Sequence, residues 1–144
     1  MINTHNEKQI TTDSFEIGKI LKMNFDRTDG IIINHPFNNR LKYFVVIGQS
    51  LNEGIVGALL INSKISSKTL EDYQFPLHKK DYPDILKYNS FLDCCCLFEL
   101  DKIKIVNKGF EIGKLIEKDL KMIIHTVKEC EIISTKNKKK FGII

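Results

Sequence analysis

Lys42-Tyr43-Phe44-Val45-Val46-Ile47 and Ile55-Val56-Gly57-Ala58-Leu59-Leu60-Ile61-Asn62 are two apolar runs separated by Gly48-Gln49-Ser50-Leu51-Asn52-Glu53-Gly54. Both runs have strand length and are rich in β-branched and aromatic side chains. The segment between them is polar and bounded by glycine. That combination predicts an antiparallel hairpin. Neither run alternates cleanly between apolar and polar residues. A strand that is apolar on both faces is buried on both faces, as at the centre of a barrel.

Upstream, Phe15 to Phe25 predicts a strand, with Ile17, Lys19, Leu21, Met23 and Phe25 on one face and Ile20 among polar residues on the other. A helix from Phe15 to Met23 is the alternative. Asp26-Arg27-Thr28-Asp29-Gly30 carries turn chemistry, Asp-Gly above all. Ile31-Ile32-Ile33 is a short β-branched run. Asn34 to Arg40 is a polar loop in which Pro36 excludes a central strand.

Downstream, Tyr73 to Leu77 predicts another strand, with Pro76 near its end. Asp81 to Lys87 has an N-cap residue and a proline in its first turn, which predicts a short helical turn. Ser90 to Leu100 predicts a strand, and Ile103-Lys104-Ile105-Val106 a further short one. The end of the chain is different. Leu115, Ile116, Leu120, Ile123, Ile124, Val127 and Cys130 recur at helical spacing. Glu117 and Asp119 at the start and Lys128 at the end suit the helix dipole. A helix is predicted from about residue 116 to 130.

With 144 residues the chain has the size of one domain. We expect a flexible leader over 1–14, the folded domain over 15–135 and a solvated basic tail over 136–144. No apolar run is long enough for a transmembrane helix. The first fifteen residues lack the apolar segment of a signal peptide, so a cytoplasmic location without membrane attachment is expected. Net charge is +4, mildly basic, which permits an anionic partner without requiring one. Cys94, Cys95 and Cys96 are consecutive. On a strand they alternate faces, so they do not form a shared metal site and are expected as small core side chains. No metal site and no cofactor is expected, since the phosphate-binding, zinc and hydrolase motifs are all absent. The residues alone reach a small β-rich domain and go no further towards function.

The order of segments adds to this. Gly18-Lys19-Ile20, Lys42 to Ile47, Leu60-Ile61-Asn62-Ser63-Lys64-Ile65, Phe75-Pro76-Leu77-His78, Ser90-Phe91-Leu92-Asp93 and Leu100 to Val106 resemble, in sequence and spacing, the strands of the MazF/PemK family of toxin endoribonucleases. The predicted terminal helix has its counterpart there. The resemblance spans roughly residues 17–135. It implies a mainly β fold, an SH3-like barrel of antiparallel strands with a C-terminal helix. It further implies a homodimer that cleaves single-stranded RNA without a metal and is inhibited by a cognate antitoxin protein.

In that chemistry the substrate's own 2′-hydroxyl attacks the neighbouring phosphorus. A cation must stabilise the phosphoryl oxygens, and a side chain must move protons. The resemblance places Lys42 where the family has its basic residue. Arg40, two residues earlier, offers a planar fork better matched to phosphate. Ser63, with Asn62 beside it, stands where the family has Thr or Ser. Arg40, Lys42 and Ser63 are therefore the expected catalytic residues, and His35, Asn62 and His78 the expected substrate-binding ones. Each has a plainer reading, as a solvated charge, a strand-end cap or a surface histidine. The chain departs from the family in lacking the Arg-Pro before the second strand, Tyr43 standing in place of the proline. Two other readings stay open, the first implied by the resemblance together with these departures from it. One is a non-enzymatic SH3-like module that binds protein or nucleic acid. The other is a regulatory domain that senses thiol oxidation through Cys94 to Cys96.

Overall fold

The computed structural model describes residues 7–64 and 68–144. Ile65 of the expected third strand and the first six residues of the leader lie outside them. One antiparallel sheet of eight strands dominates: β1 (Lys8–Gln9), β2 (Lys19–Phe25), β3 (Arg40–Ser50), β4 (Ile55–Asn62), β5 (Gln74–Leu77), β6 (Ser90–Asp93), β7 (Phe98–Asp101) and β8 (Phe110–Lys114). The strand order is β1-β8-β2-β3-β4-β6-β5, and β7 also pairs with β4. Three helices accompany it: α1 (Lys102–Lys108), α2 (Glu117–Glu129) and α3 (Thr135–Lys140). The chain is thus mainly β, as expected. Among the described residues no helix is long and apolar enough to cross a membrane.

The β3–β4 hairpin is the centre of the sheet, and its apolar runs are buried on both sides. Val45, Ile47, Leu59 and Ile61 enter one core with Ile123 and Val127 of α2 and Cys130, which follows it. Phe44, Val46, Val56, Ala58 and Leu60 enter a second core with Leu21, Met23 and Phe25 of β2. Alternate residues of a strand face opposite ways, so the two cores lie on opposite faces of the sheet. A bulge between Val46 and Gly48 shifts the β3–β4 register and leaves Gly48 opposite Gly57. Bulges bend a strand and increase its twist. The glycine pair forms a seat for Phe141, which is buried against it. A methyl group on Gly48 would meet the Phe141 carbonyl oxygen at 2.1 Å, and one on Gly57 would meet its ring at 2.9 Å.

Residues 90–101 do not run as one unbroken strand. β6 pairs with β4 at Leu92↔Ile61, and β7 pairs at Phe98↔Ala58. Six residue steps therefore face three, and Cys94 to Leu97 bulge out of the ladder. Asp93 holds the excursion: its carboxylate accepts from the Cys95 N–H at 3.2 Å and from Gln74 Nε2 at 3.0 Å. The short strand expected at Ile103–Val106 is a helix instead. Asp101 caps it by accepting from the Ile103 N–H at 2.8 Å, and only Ile105 of its residues is buried. A side-chain cap and a single core contact per turn outweigh the β-branched composition. The expected helix at 116–130 is α2. Pro76 lies on β5, at the end of the strand order, where a missing donor is tolerated.

Both ends of the chain are more tied down than expected. Within the leader, Lys8 and Gln9 pair with β8 and Ser14 is buried. The basic tail is not a solvated run. Lys138 is buried and donates to the Lys128 carbonyl at 2.7 Å, while Phe141 and Ile143 join the first core. Lys140 pairs with Glu99 at 2.7 Å and with Glu53 at 3.0 Å.

One further contact positions the site. Tyr82, between β5 and β6, is buried. Its hydroxyl donates to Asp119 at 2.6 Å and accepts from the Ile116 N–H at 3.1 Å. Burial and the carboxylate beside it push the phenol well above its ordinary range. The Tyr82 carbonyl accepts from the N–H groups of Ile85 and Leu86, closing one tight turn within the short helical turn expected over Asp81 to Lys87. Residues 85–88 are thereby held beside the ends of β3 and β4.

Candidate anion-binding cleft

Where β3 begins and β4 ends, the sheet opens into a cleft of about 320 Å³. Arg40, Lys42 and Tyr43 come from β3. Asn62 comes from β4, and Ser63 follows it directly. Lys87 and Tyr88 come from the segment that Tyr82 anchors, and Ser90 from the start of β6. Sheet register explains the convergence: Tyr43 lies opposite Ile61, so the residues one step further out, Lys42 and Asn62, face each other. The Lys42 ammonium donates to Asn62 Oδ1 at 2.5 Å.

The cleft holds three cations and no acidic residue among those described. No carboxylate pairs with Arg40, Lys42 or Lys87 among the described residues. Lys42 is only 8% exposed. Burial, and secondarily the Arg40 guanidinium, pull its pKa down to about 8. Burial without a counter-charge disfavours the ammonium, so the site is primed for an anion to supply the missing charge. Arg40 is exposed and free to turn its fork towards a ligand. Ser63 is exposed. The Ser90 hydroxyl donates to the Tyr88 carbonyl at 3.0 Å and fixes the loop beneath an aromatic ring that is 68% exposed.

Of the residues singled out in the sequence, the fold gathers Arg40, Lys42, Asn62 and Ser63 around one cleft. His35 and His78 are both exposed and do not line it. His35 lies in the loop before β3, and His78 follows β5. Lys87 and Tyr88 carry no local sequence signal, and the turn anchored by Tyr82 brings them to the site. Ser90 opens the strand expected there and reaches the cleft through the β6–β4 pairing.

The cysteines do not form a second site. Cys94 and Cys95 are buried in the first core, and burial pushes their thiols up to about 12. Cys96 is exposed, but its thiol is also raised, by burial of the sulfur first and then by Asp93. Reactive thiols need the opposite shift. Compared with known proteins, the chain matches no protein-family model and no curated protein.

Proposed function

We propose that this protein is a metal-independent endoribonuclease of MazF/PemK type that cleaves single-stranded RNA in the cleft between β3, β4 and the Tyr88 segment. The carrying observation is the acid-free cluster of Arg40, Lys42 and Lys87 around a buried lysine whose pKa lies near 8. Phosphate is the anion that matches it: Arg40 offers a bidentate fork, Lys42 and Lys87 offer point charges, and Ser63 offers a hydroxyl. The exposed Tyr88 ring offers a stacking face for an unpaired base, which favours a single strand over free phosphate. The finer fold reading, an SH3-like barrel, goes with this proposal. The bulged hairpin and the double use of β4 by β6 and β7 support it.

In this reading the 2′-hydroxyl oxygen of the substrate bonds to phosphorus, and the bond from phosphorus to the 5′ oxygen breaks. The products are a 2′,3′-cyclic phosphate and a 5′-hydroxyl end. Arg40 stabilises charge on the non-bridging oxygens. The Lys42 ammonium, oriented by Asn62, protonates the departing 5′ oxygen, a role suited to a group with a pKa near the working pH. Ser63 holds a non-bridging oxygen and passes the 2′-hydroxyl proton towards solvent. The resemblance extends the proposal to a homodimer restrained by an antitoxin; light scattering of the purified chain tests the dimer.

A binding module without catalysis is the second reading. The observation favouring it is that neither His35 nor His78 lines the cleft, so no imidazole is at hand there among the described residues. RNA cleavage assays on the wild type and on Arg40→Ala and Lys42→Ala proteins separate the two. Turnover lost in folded variants supports the ribonuclease. Binding that Arg40→Ala weakens, with no turnover, supports the module.

A further inference from the structure

A second cleft opens on the other side of Arg40. It has a volume of about 430 Å³ and is lined by Asn24, Phe25, Asp26, Asn38, Asn39 and Lys108. Phe25 lies opposite Arg40 in the β2–β3 register, and Asn24 lies opposite Leu41. Asn39 is joined directly to Arg40. The two clefts therefore both border the start of β3, one on its β4 side and one on its β2 side. Their chemistry differs. The first is lined by cations without acids. The second is lined by amides, with one lysine and one carboxylate. The Thr28 side chain, followed by Lys104, lowers the Asp26 pKa to about 2, so this carboxylate is ionised at neutral pH and is already paired with the Lys104 ammonium. A neutral group with both donors and acceptors fits such a lining. Asn24, Asn38 and Asn39 make no side-chain hydrogen bond among the described residues, so their amides are available. Each offers an acceptor and two donors, the set that pairs with the edge of a base.

The loop that carries two of these amides is held in place. One nitrogen of the Arg27 guanidinium donates to the Ile33 carbonyl at 2.9 Å and to the Phe37 carbonyl at 2.8 Å. Lys104 ties the preceding turn to α1 by donating to Asp29 at 2.7 Å and to Asp26 at 3.1 Å. A preorganised amide pair next to a phosphate grip has the layout of a reader beside a clamp.

We propose that the cleft of Asn24, Asn38 and Asn39 is a nucleobase subsite, and that it sets the sequence preference of the strand whose phosphate lies in the Arg40–Lys42 cleft. This rests on the phosphate reading of the first cleft. The test measures binding of the full chain to four single-stranded 2′-O-methyl RNA homohexamers, which cannot be cleaved, and to a hexamer of the same backbone without bases. Wild type is expected to prefer one homohexamer over the other three by about tenfold, the scale of one good base contact. An Asn38→Ala/Asn39→Ala protein should lose most of that preference and hold the abasic strand as before. Arg40→Ala should weaken every strand alike. Both sets of side chains are exposed, and thermal unfolding verifies that the variants fold. A preference that survives the asparagine double change overturns the subsite alone. So does wild-type protein that binds the four homohexamers equally, provided Arg40→Ala still weakens them. Failure of wild type to bind any strand overturns the phosphate reading, and the subsite with it.

Discussion

Lys42 is the residue on which the functional account turns. It is buried, hydrogen-bonded to Asn62 and close enough to Arg40 to feel its charge, and among the described residues no carboxylate pairs with it. Such a group is a liability in the free protein and an asset once a phosphate arrives. Its titration gives a signed prediction. The folded pKa, about 8, lies below the ordinary 10.5. Between those values the unfolded chain binds more protons, so the Lys42 contribution to stability becomes more favourable as pH rises through that window. Below pH 8 the ammonium is charged in both states and its full penalty is present. Lys42→Met should therefore stabilise the protein by about 3 kcal/mol at pH 7, with the gain shrinking to nothing by pH 10.5. Urea unfolding of both proteins across that range measures it, and a gain independent of pH would contradict the burial argument. Lys42→Arg separates charge from proton transfer. It should keep RNA binding within a few-fold and lower turnover by about 10²-fold, because guanidinium does not give up its proton near neutrality. Half of the cleft was legible at this scale. Arg40, Lys42, Asn62 and Ser63 sit at the ends of two strands that the sequence defines. Lys87 and Tyr88 were not, because a turn fixed by Tyr82 and Asp119 delivers them.

At the scale of elements, the hairpin and α2 were readable because long apolar runs and helical spacing carry most of the information. The departures have local causes. The Asp101 cap turned Ile103–Val106 into a helix, and the Cys94–Leu97 bulge broke a strand whose composition is uniform. Neither a cap nor a bulge changes periodicity enough to be seen in advance. The end of the chain was misjudged because charge hid its function. Four of the six residues of α3 are lysines, yet the helix leads Phe141 onto Gly48 and Gly57. Phe141→Ala should accordingly lower stability by about 3 kcal/mol. Gly48→Ala should also destabilise, by about 1–3 kcal/mol, because the added methyl meets the rigid backbone at residue 141. Denaturant midpoints measure both, and unchanged midpoints would mean that residues 135–143 do not dock in solution. Tyr82→Phe removes a hydroxyl that serves both Asp119 and the Ile116 N–H. A loss of about 1–3 kcal/mol is expected, since both partners are left unsatisfied. Weaker RNA binding should accompany it, because the Lys87–Tyr88 wall loses its anchor.

Over the whole molecule, a sheet covered on both faces leaves its strand ends as the place for chemistry. The two clefts lie there, one cationic and one lined with amides, on either side of Arg40. The hairpin made the mainly β class readable from the outset. The path of the sheet was not readable, since β1, β8 and β2 join residues from opposite ends of the chain. The central claim is that the cationic cleft cuts RNA. Its most direct test incubates purified protein with a long single-stranded RNA, with and without EDTA, beside the Arg40→Ala and Lys42→Ala proteins. Fragment ends are then sequenced. The account predicts EDTA-resistant cutting at a short recurring sequence, leaving cyclic-phosphate and 5′-hydroxyl ends, with a rate about 10²–10³-fold lower in either folded variant. Cutting that is equal in wild type and variants, or that EDTA abolishes, would contradict it.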